Sequence, residues 1–271
     1  MINTRIMLTA IAAVLPLASC TVKEERTQCP CWLDVNLENR ASIHPEAGVQ
    51  DMTVALWDFS YIGSSGVTAR EAERVPVHEE TVPRGDVTVS VISGLDGMSF
   101  DRGAVYVPKG CQADRVYAFT ATADCSGETT MVDAVLHRQF AAITLEMLCN
   151  EGEMYTFIPR ITGRWAGFNA RDLSPLEGVF EFKPEGQGTQ GNIFTVLVPR
   201  QGDFSLSLDL MDSRGRVDGT VAIGEIIEGS GYDWEAEDLE DIHLVIDHAR
   251  IVVGIDIRPW SEDEREFHLH E

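Results

Sequence analysis

The sequence predicts an all-β protein built as two tandem antiparallel β-sandwiches, and three observations lead there. Short segments alternate apolar and polar residues, the pattern of a strand with one buried face. Phe204-Ser-Leu206-Ser-Leu208-Asp-Leu210 is the cleanest example. Turn-forming residues recur between such segments, and no window sustains a long apolar period of 3.6. A strand with one apolar face must bury that face against a second sheet, which makes a sandwich the economical solution.

The chain opens with a secretory signal. Arg5 gives one positive charge, and Ile6 to Leu17 is an apolar run of about a dozen residues, the length of a signal h-region. A membrane span needs ~20 residues. Leu17-Ala18-Ser19-Cys20 then offers a cut between Ser19 and Cys20. A cysteine at this point resembles a bacterial lipobox, which implies lipidation of Cys20 as the mature N-terminus. An ordinary signal peptide with a coincidental cysteine is the alternative. Thr21-Val22-Lys23-Glu24-Glu25 resembles the surface-export signal of lipoproteins in the Bacteroidota. Together these place the protein on the outer membrane, lipid-anchored and facing outwards. Residues 1–19 are the signal peptide and 20–28 a charged spacer.

The body begins at residue 29. Strands are expected at Trp32–Leu37, Val54–Phe59, Val87–Val91 and Val116–Ala123, then at Ile143–Met147, Phe194–Val198, Phe204–Leu210 and Val221–Ile227. Turns are expected at Gly63–Gly66, Pro83–Gly85, Gly94–Gly97, Pro108–Gly110, Gly186–Gly188 and Asp212–Gly215, with one short helical turn at Asp233–Asp241. About six or seven strands fall before residue 138 and a similar number after it, which fits two sandwiches better than one. The N-terminal sandwich is read as 29–138. The C-terminal sandwich, with a short acidic tail, is read as 139–271, and the boundary lies near His137–Phe140. In the last long stretch apolar residues fall on even numbers up to Ile246 and on odd numbers from Ile251. A shift of one flips every side chain, so Asp247–Arg250 must hold a bulge, a crossover or a tight turn.

Charge excludes some functions. Loss of residues 1–19 removes one basic residue and no acid, taking the net charge from −23 to −24. Nucleic acid needs a basic footprint, so it is not an expected partner, and docking on anionic lipid beyond the anchor is disfavoured. Beyond Cys20 the cysteines are Cys29, Cys31, Cys111, Cys125 and Cys149. An odd number leaves at least one unpaired within the chain. Cys111 and Cys125 flank a predicted strand and could form a disulfide; buried free thiols are the alternative.

Catalytic signatures are missing. Ser90, Ser93 and Ser126 lack a G-x-S-x-G setting, and there is neither a G-x-G-x-x-G nor a P-loop. His268, His270 and Glu271 share a strand face and could bind metal, but read better as a solvated tail. Asp233, Glu235, Glu237, Asp238, Glu240 and Asp241 could collect Ca²⁺, but read better as a solvated acidic loop. His137 reads as structural at the domain junction and His243 as solvent-facing. The expectation is therefore a non-enzyme with no catalytic residue, no metal site and no cofactor. Trp57, Trp165 and Trp260 leave open a surface module that binds glycan or host protein.

Ordered motifs carry a resemblance across nearly the whole mature chain. Cys29-Pro30-Cys31-Trp32-Leu33 follows the lipobox and spacer, then Gly103-Ala-Val-Tyr-Val-Pro108 and Leu136-His-Arg-Gln-Phe140. Leu176-Glu-Gly178, Val198-Pro-Arg200, Gly231-Tyr-Asp-Trp234 and Asp238-Leu-Glu-Asp-Ile242 come next, running through Ile246-Asp247 and Ala249-Arg250 to Trp260. This resembles the FimB-like minor fimbrial subunits of the Bacteroidota. The resemblance implies two tandem transthyretin-like sandwiches in a lipoprotein that tethers a fimbrial polymer to the outer membrane and limits its length. Its implied partners are fimbrial shaft or other minor pilin subunits and outer-membrane lipid. It implies donor-strand exchange. The tail from Ser261 to Glu271 offers few alternating apolar residues, so the strand-exchange segment is expected earlier, at Ile251, Val253, Ile255 and Ile257, with docking through a different surface as the alternative.

Overall fold

The structure, a computed structural model, describes residues 29–58, 62–148, 157–184, 192–247 and 252–258. It is mostly β. In the first half the strands are β1 (Cys31–Asn36), β2 (Met52–Trp57), β3 (Ile62–Val67), β4 (Val77–Val82), β5 (Asp86–Ser93), β6 (Ser99–Asp101), β7 (Ala104–Tyr106), β8 (Tyr117–Asp124), β9 (Thr129–Asp133) and β10 (His137–Arg138). In the second they are β11 (Phe140–Leu148), β12 (Ile158–Asn169), β13 (Pro175–Phe182), β14 (Ile193–Pro199), β15 (Ser207–Met211), β16 (Val217–Val221), β17 (Asp241–Asp247) and β18 (Val252–Arg258). Two short α-helices interrupt the described strands, α1 (Ala69–Arg74) and α2 (Ile223–Gly229).

Among the described residues the strands form four sheets. Their orders are β4-β1-β9, β10-β8-β5-β2-β3, β14-β11-β17-β18 and β16-β15-β12-β7-β6, with β13 also paired to β12. Most pairings are antiparallel, as the alternation suggests, but β1 runs parallel to β9 and β11 parallel to β17. The two halves repeat this detail. In each, the opening strand lies between an antiparallel and a parallel neighbour, β4 and β9 for β1, β14 and β17 for β11. The second half carries one strand more on that sheet, β18 beside β17.

The main core joins inward faces of all four sheets, among them Leu33, Val35, Val89 and Val91 from the first half and Ile143, Leu145, Val196 and Leu244 from the second. A second cluster sits where the halves meet. Trp57, Ile92 and Ala118 of the five-stranded sheet pack there against Val105, Phe168 and Ala170. The hairpin β6–β7 makes this contact possible by leaving the first half and pairing with β12, Phe168 opposite Val105. Gly103 turns the hairpin at φ +89°, where a Cβ would strike the Trp57 ring.

The five-stranded sheet is therefore covered on both faces. Ser90, a polar position of the Val87–Val91 alternation, is fully buried. Its hydroxyl donates to the Ala170 carbonyl at 2.7 Å and accepts from Trp57 Nε1 at 3.0 Å.

Three expectations are corrected. Val221–Ile227 is not a strand beyond β16; from Ile223 it is helical, because Ile223 and Ile227, one turn apart, bury the same face. Gly63–Gly66 is not a turn but the middle of edge strand β3, registered against Leu56 to Thr53. The stretch expected as a helical turn at Asp233–Asp241 holds turns and bends rather than a helix, and β17 begins at Asp241. The two cysteines proposed as a pair differ in setting: Cys111 is exposed and Cys125 is buried. Val107 N–H and Ala113 N–H bond carbonyls of Ala166 and Leu197, so the segment with exposed Cys111 runs along the second half, while Cys125 lies in the main core.

Candidate functional site

Among the residues singled out in the sequence, Ser19, Cys20, Ile251 and Trp260 lie outside the described residues. The remaining strand-exchange positions fall on β18. It pairs along its full length with β17, Val253 opposite Ile246, Ile255 opposite Leu244 and Ile257 opposite Ile242. In such a hairpin the facing residue numbers sum to an odd value. Even apolar positions on one strand then require odd ones on the other, the parity change that the sequence shows. Ile255 and Ile257 are half-buried against the main core, while Gly254, Asp256 and Arg258 are exposed. On the outer face Arg258 Nη2 lies 3.0 Å from His243 Nδ1, and His243 Nε2 lies 3.1 Å from Glu146 Oε2. β18 ends its sheet's order. Among the described residues it pairs with β17 alone.

The junction of the halves is held by a polar knot. Asp238, just before β17, accepts from three groups of the first half. His44 Nε2 lies 2.6 Å from Oδ1, His137 Nδ1 2.9 Å from Oδ2, and the Arg138 N–H donates to Oδ1 at 2.7 Å. Burial alone would raise the Asp238 pKa. Hydrogen bonds from His44, Arg138 N–H and His137 override it and hold the carboxyl well below the usual carboxylate range. Arg138, itself buried, pairs with Asp241 and stacks on Phe140 with Cζ 4.3 Å from the ring centre. Asp241 also accepts from the Ala142 N–H at 3.1 Å. Two acids of the loop read as possible Ca²⁺ ligands are thus turned inwards onto protein donors. Tyr117 completes the knot: its hydroxyl donates to Glu46 at 2.7 Å, and burial with Glu46 pushes its pKa far up.

Beside this knot lies a cleft of about 820 Å³ lined from both halves. Trp165, Phe204, Tyr232 and Trp234 give it aromatic walls, and His137 and Arg200 face it. Tyr232 and Trp234 meet edge-on at 4.7 Å. Arg200 is almost fully buried and fixed by Gln139 Oε1 and the Trp234 carbonyl. Of the tryptophans singled out in the sequence, Trp57 belongs to the dry inter-half core and Trp165 to this cleft. No pattern in the sequence pointed to Tyr232, Trp234 and Phe204 as one wall. Among the described residues no three His, Cys, Asp or Glu side chains are grouped to hold a metal ion, and no helix is long and apolar enough to cross a membrane.

No family profile matches the chain, and no curated protein sequence matches it. Solved structures do match. A candidate adhesin from Bacteroides ovatus superposes with a TM-score of 0.62 at 12% identity, over 86% of this chain and 95% of that one. A candidate polysaccharide-binding protein from Bacteroides thetaiotaomicron gives 0.58 at 10%, over 86% and 99%. The fimbrial anchor protein Mfa2 from Porphyromonas gingivalis gives 0.55 at 14%, over 86% and 98%. At these identities the likeness is one of fold, and it spans nearly the full length of each of the three.

Proposed function

We propose that this chain is a lipid-anchored minor fimbrial subunit. In this reading Cys20 carries the lipid, the body stands on the cell surface, and the protein tethers a fimbrial polymer to the outer membrane and takes part in its assembly or length control. The observation that carries the reading is the end-to-end likeness to a fimbrial anchor protein in a chain that opens with a lipobox-like cut. We read each half as a transthyretin-like sandwich and the chain as non-enzymatic.

Strand exchange fits the edges. An open sheet edge is a template for another backbone. β18 is an edge strand among the described residues, and its apolar residues alternate. The first half, tied to the lipid through β1, stays closed, and the β17–β18 region engages the neighbouring subunit. Deletion decides the main reading: fimbriae shed into the medium, or grown abnormally long, are the expected result on immunoblots of cells and medium. Fimbriae that remain attached and unchanged would retire it.

A second reading rests on the aromatic cleft. Aromatic walls with a few fixed polar groups suit a small polar ligand, and one structure of like fold is described as a candidate polysaccharide-binding protein. In that case the chain is a surface glycan-binding lipoprotein rather than a fimbrial base. Retention on a glycan array that Trp234→Ala abolishes would favour it.

A further inference from the structure

Two thiols in the first half have no place in the assembly reading. Cys31 on β1 and Cys125 just after β8 are both fully buried in the main core. They belong to different sheets, yet one tight turn brings them together. Cys31 is registered opposite Val82, the last residue of β4. The Cys125 N–H donates to the carbonyl of Gly85, three residues on, at 2.9 Å. Between these two points the Arg84 guanidinium clamps both flanks, Nε to the Cys29 carbonyl at 2.7 Å and Nη1 to the Ser126 carbonyl at 2.8 Å. Thr130 closes the other side. Its hydroxyl lies 3.7 Å from Cys31 Sγ and donates to the Asp124 carbonyl at 2.7 Å. Burial, with the neighbouring Cys31 thiol, raises the Cys125 thiol to about 11.

We infer that Cys31 and Cys125 form the disulfide of the exported protein, tying β1 of the three-stranded sheet to the end of β8 in the five-stranded sheet. A chain exported beyond the reducing cytosol is in a compartment where such bonds persist, so the proposal rests on the secretory reading of residues 1–20. The oxidant is a dithiol oxidoreductase in its disulfide form. One protein thiolate attacks that disulfide and expels a thiolate of the oxidant. The second protein thiolate then attacks the mixed disulfide, forming the Cys31–Cys125 bond and releasing the oxidant as a dithiol. Two electrons and two protons leave the protein. Both thiols are inaccessible once the core has closed, so the exchange takes place during folding, and the bond is then shielded from reductant. The exposed thiols Cys29 and Cys111 stay reduced. The consequence is mechanical. Pull transmitted from an N-terminal tether enters at β1, and a covalent link at residue 31 stops that strand from being peeled away.

The test is thiol mapping of the full exported protein, denatured and alkylated before and after reduction, then digested with trypsin. The expected result is a cross-linked pair of peptides carrying Cys31 and Cys125, lighter by two hydrogens than the sum of the free peptides and absent after reduction. Cys111 should alkylate without reduction. Cys29 shares a tryptic peptide with Cys31, so two variants separate them: Cys29→Ser keeps the cross-link and Cys31→Ser loses it. Free alkylation of Cys31 and Cys125 in the unreduced wild type overturns the proposal, and so does a cross-link that survives Cys31→Ser. If Cys31→Ser does not fold, the wild type and Cys29→Ser still decide. Loss of residues 1–19, read in the same spectra, confirms that the sample was exported. Attachment of fimbriae is scored in a separate assay, so a missing bond leaves the anchor reading standing.

Discussion

At the residue scale, Asp238 joins the two halves by charge as well as by shape. It draws His44 and His137 to one carboxylate, and neither histidine's role could be read from spacing, since 194 residues separate His44 from its partner. The sequence did show that Asp238 opens an ordered block and that His137 sits at the junction; it could not show that they meet. Asn at this position would keep the outline and an acceptor for the Arg138 N–H, but lose the charge. Asp238→Asn should cost about 1–3 kcal/mol at pH 7, the range for hydrogen bonds to a charged group, with the lower end favoured because the carboxylate is about one-third exposed. Its dependence on pH follows from the direction of the shift. The folded-state pKa is depressed, so the stabilisation is complete above the unfolded value of about 3.9 and is lost as pH falls through the folded value. Urea denaturation should therefore show a gap between variant and wild type at neutral pH that narrows below about 4. A variant as stable as wild type at pH 7 would remove Asp238 from the junction.

At the element scale, two contrasting strands show what sequence patterns reveal. For β17 and β18 the parity change in apolar residues was legible as a bulge, a crossover or a tight turn, and the antiparallel pairing of the two strands accounts for it. β12, the longest of the described strands, was not legible, because Gly163 and Gly167 interrupt its alternation and register shifts break its pairing with β13. Those glycines serve packing. A Cβ on Gly167 would lie 1.8 Å from the Val105 carbonyl oxygen, inside the ladder that holds β7. Gly167→Ala should thus loosen β6–β7 from β12 and cost about 2–4 kcal/mol, as a backbone clash in a packed core does. Hydrogen exchange should quicken at Val107, whose N–H bonds Ala166 in wild type; unchanged protection there would contradict the account. α1 was missed although its signal was present: Thr68 and Glu71 form a full capping box. Six residues give too little apolar period for that signal to stand out. For β18, Ile255→Asp would place a charge against Leu244. It should release the strand while β17 keeps its bonds to β11, seen as fast exchange confined to β18.

At the scale of the whole molecule, the two ends of the chain are assigned different tasks, and the fold separates them. The first half holds β1, the first described strand, between β4 and β9, so it is interior to its sheet. The second half ends its equivalent sheet with β18, which pairs on one side only among the described residues. The all-β class and the repetition of strands were legible from alternation and turns. The covered five-stranded sheet, the crossing hairpin and the cleft were not, because a period-2 pattern reports one buried face and cannot say what lies on the other. If the ends act separately, they should fail separately. Cys20→Ala should release the protein from the outer membrane, and fimbriae should leave the cell with this subunit still bound. Truncation after Asp247 should leave a membrane-bound lipoprotein that no longer co-purifies with fimbriae. Fractionation of both strains, probed for this chain and for the fimbrial shaft, reads the two outcomes side by side. Co-purification of the truncated chain with fimbriae would move the docking surface away from β18, whereas membrane retention of Cys20→Ala would overturn the lipid anchor.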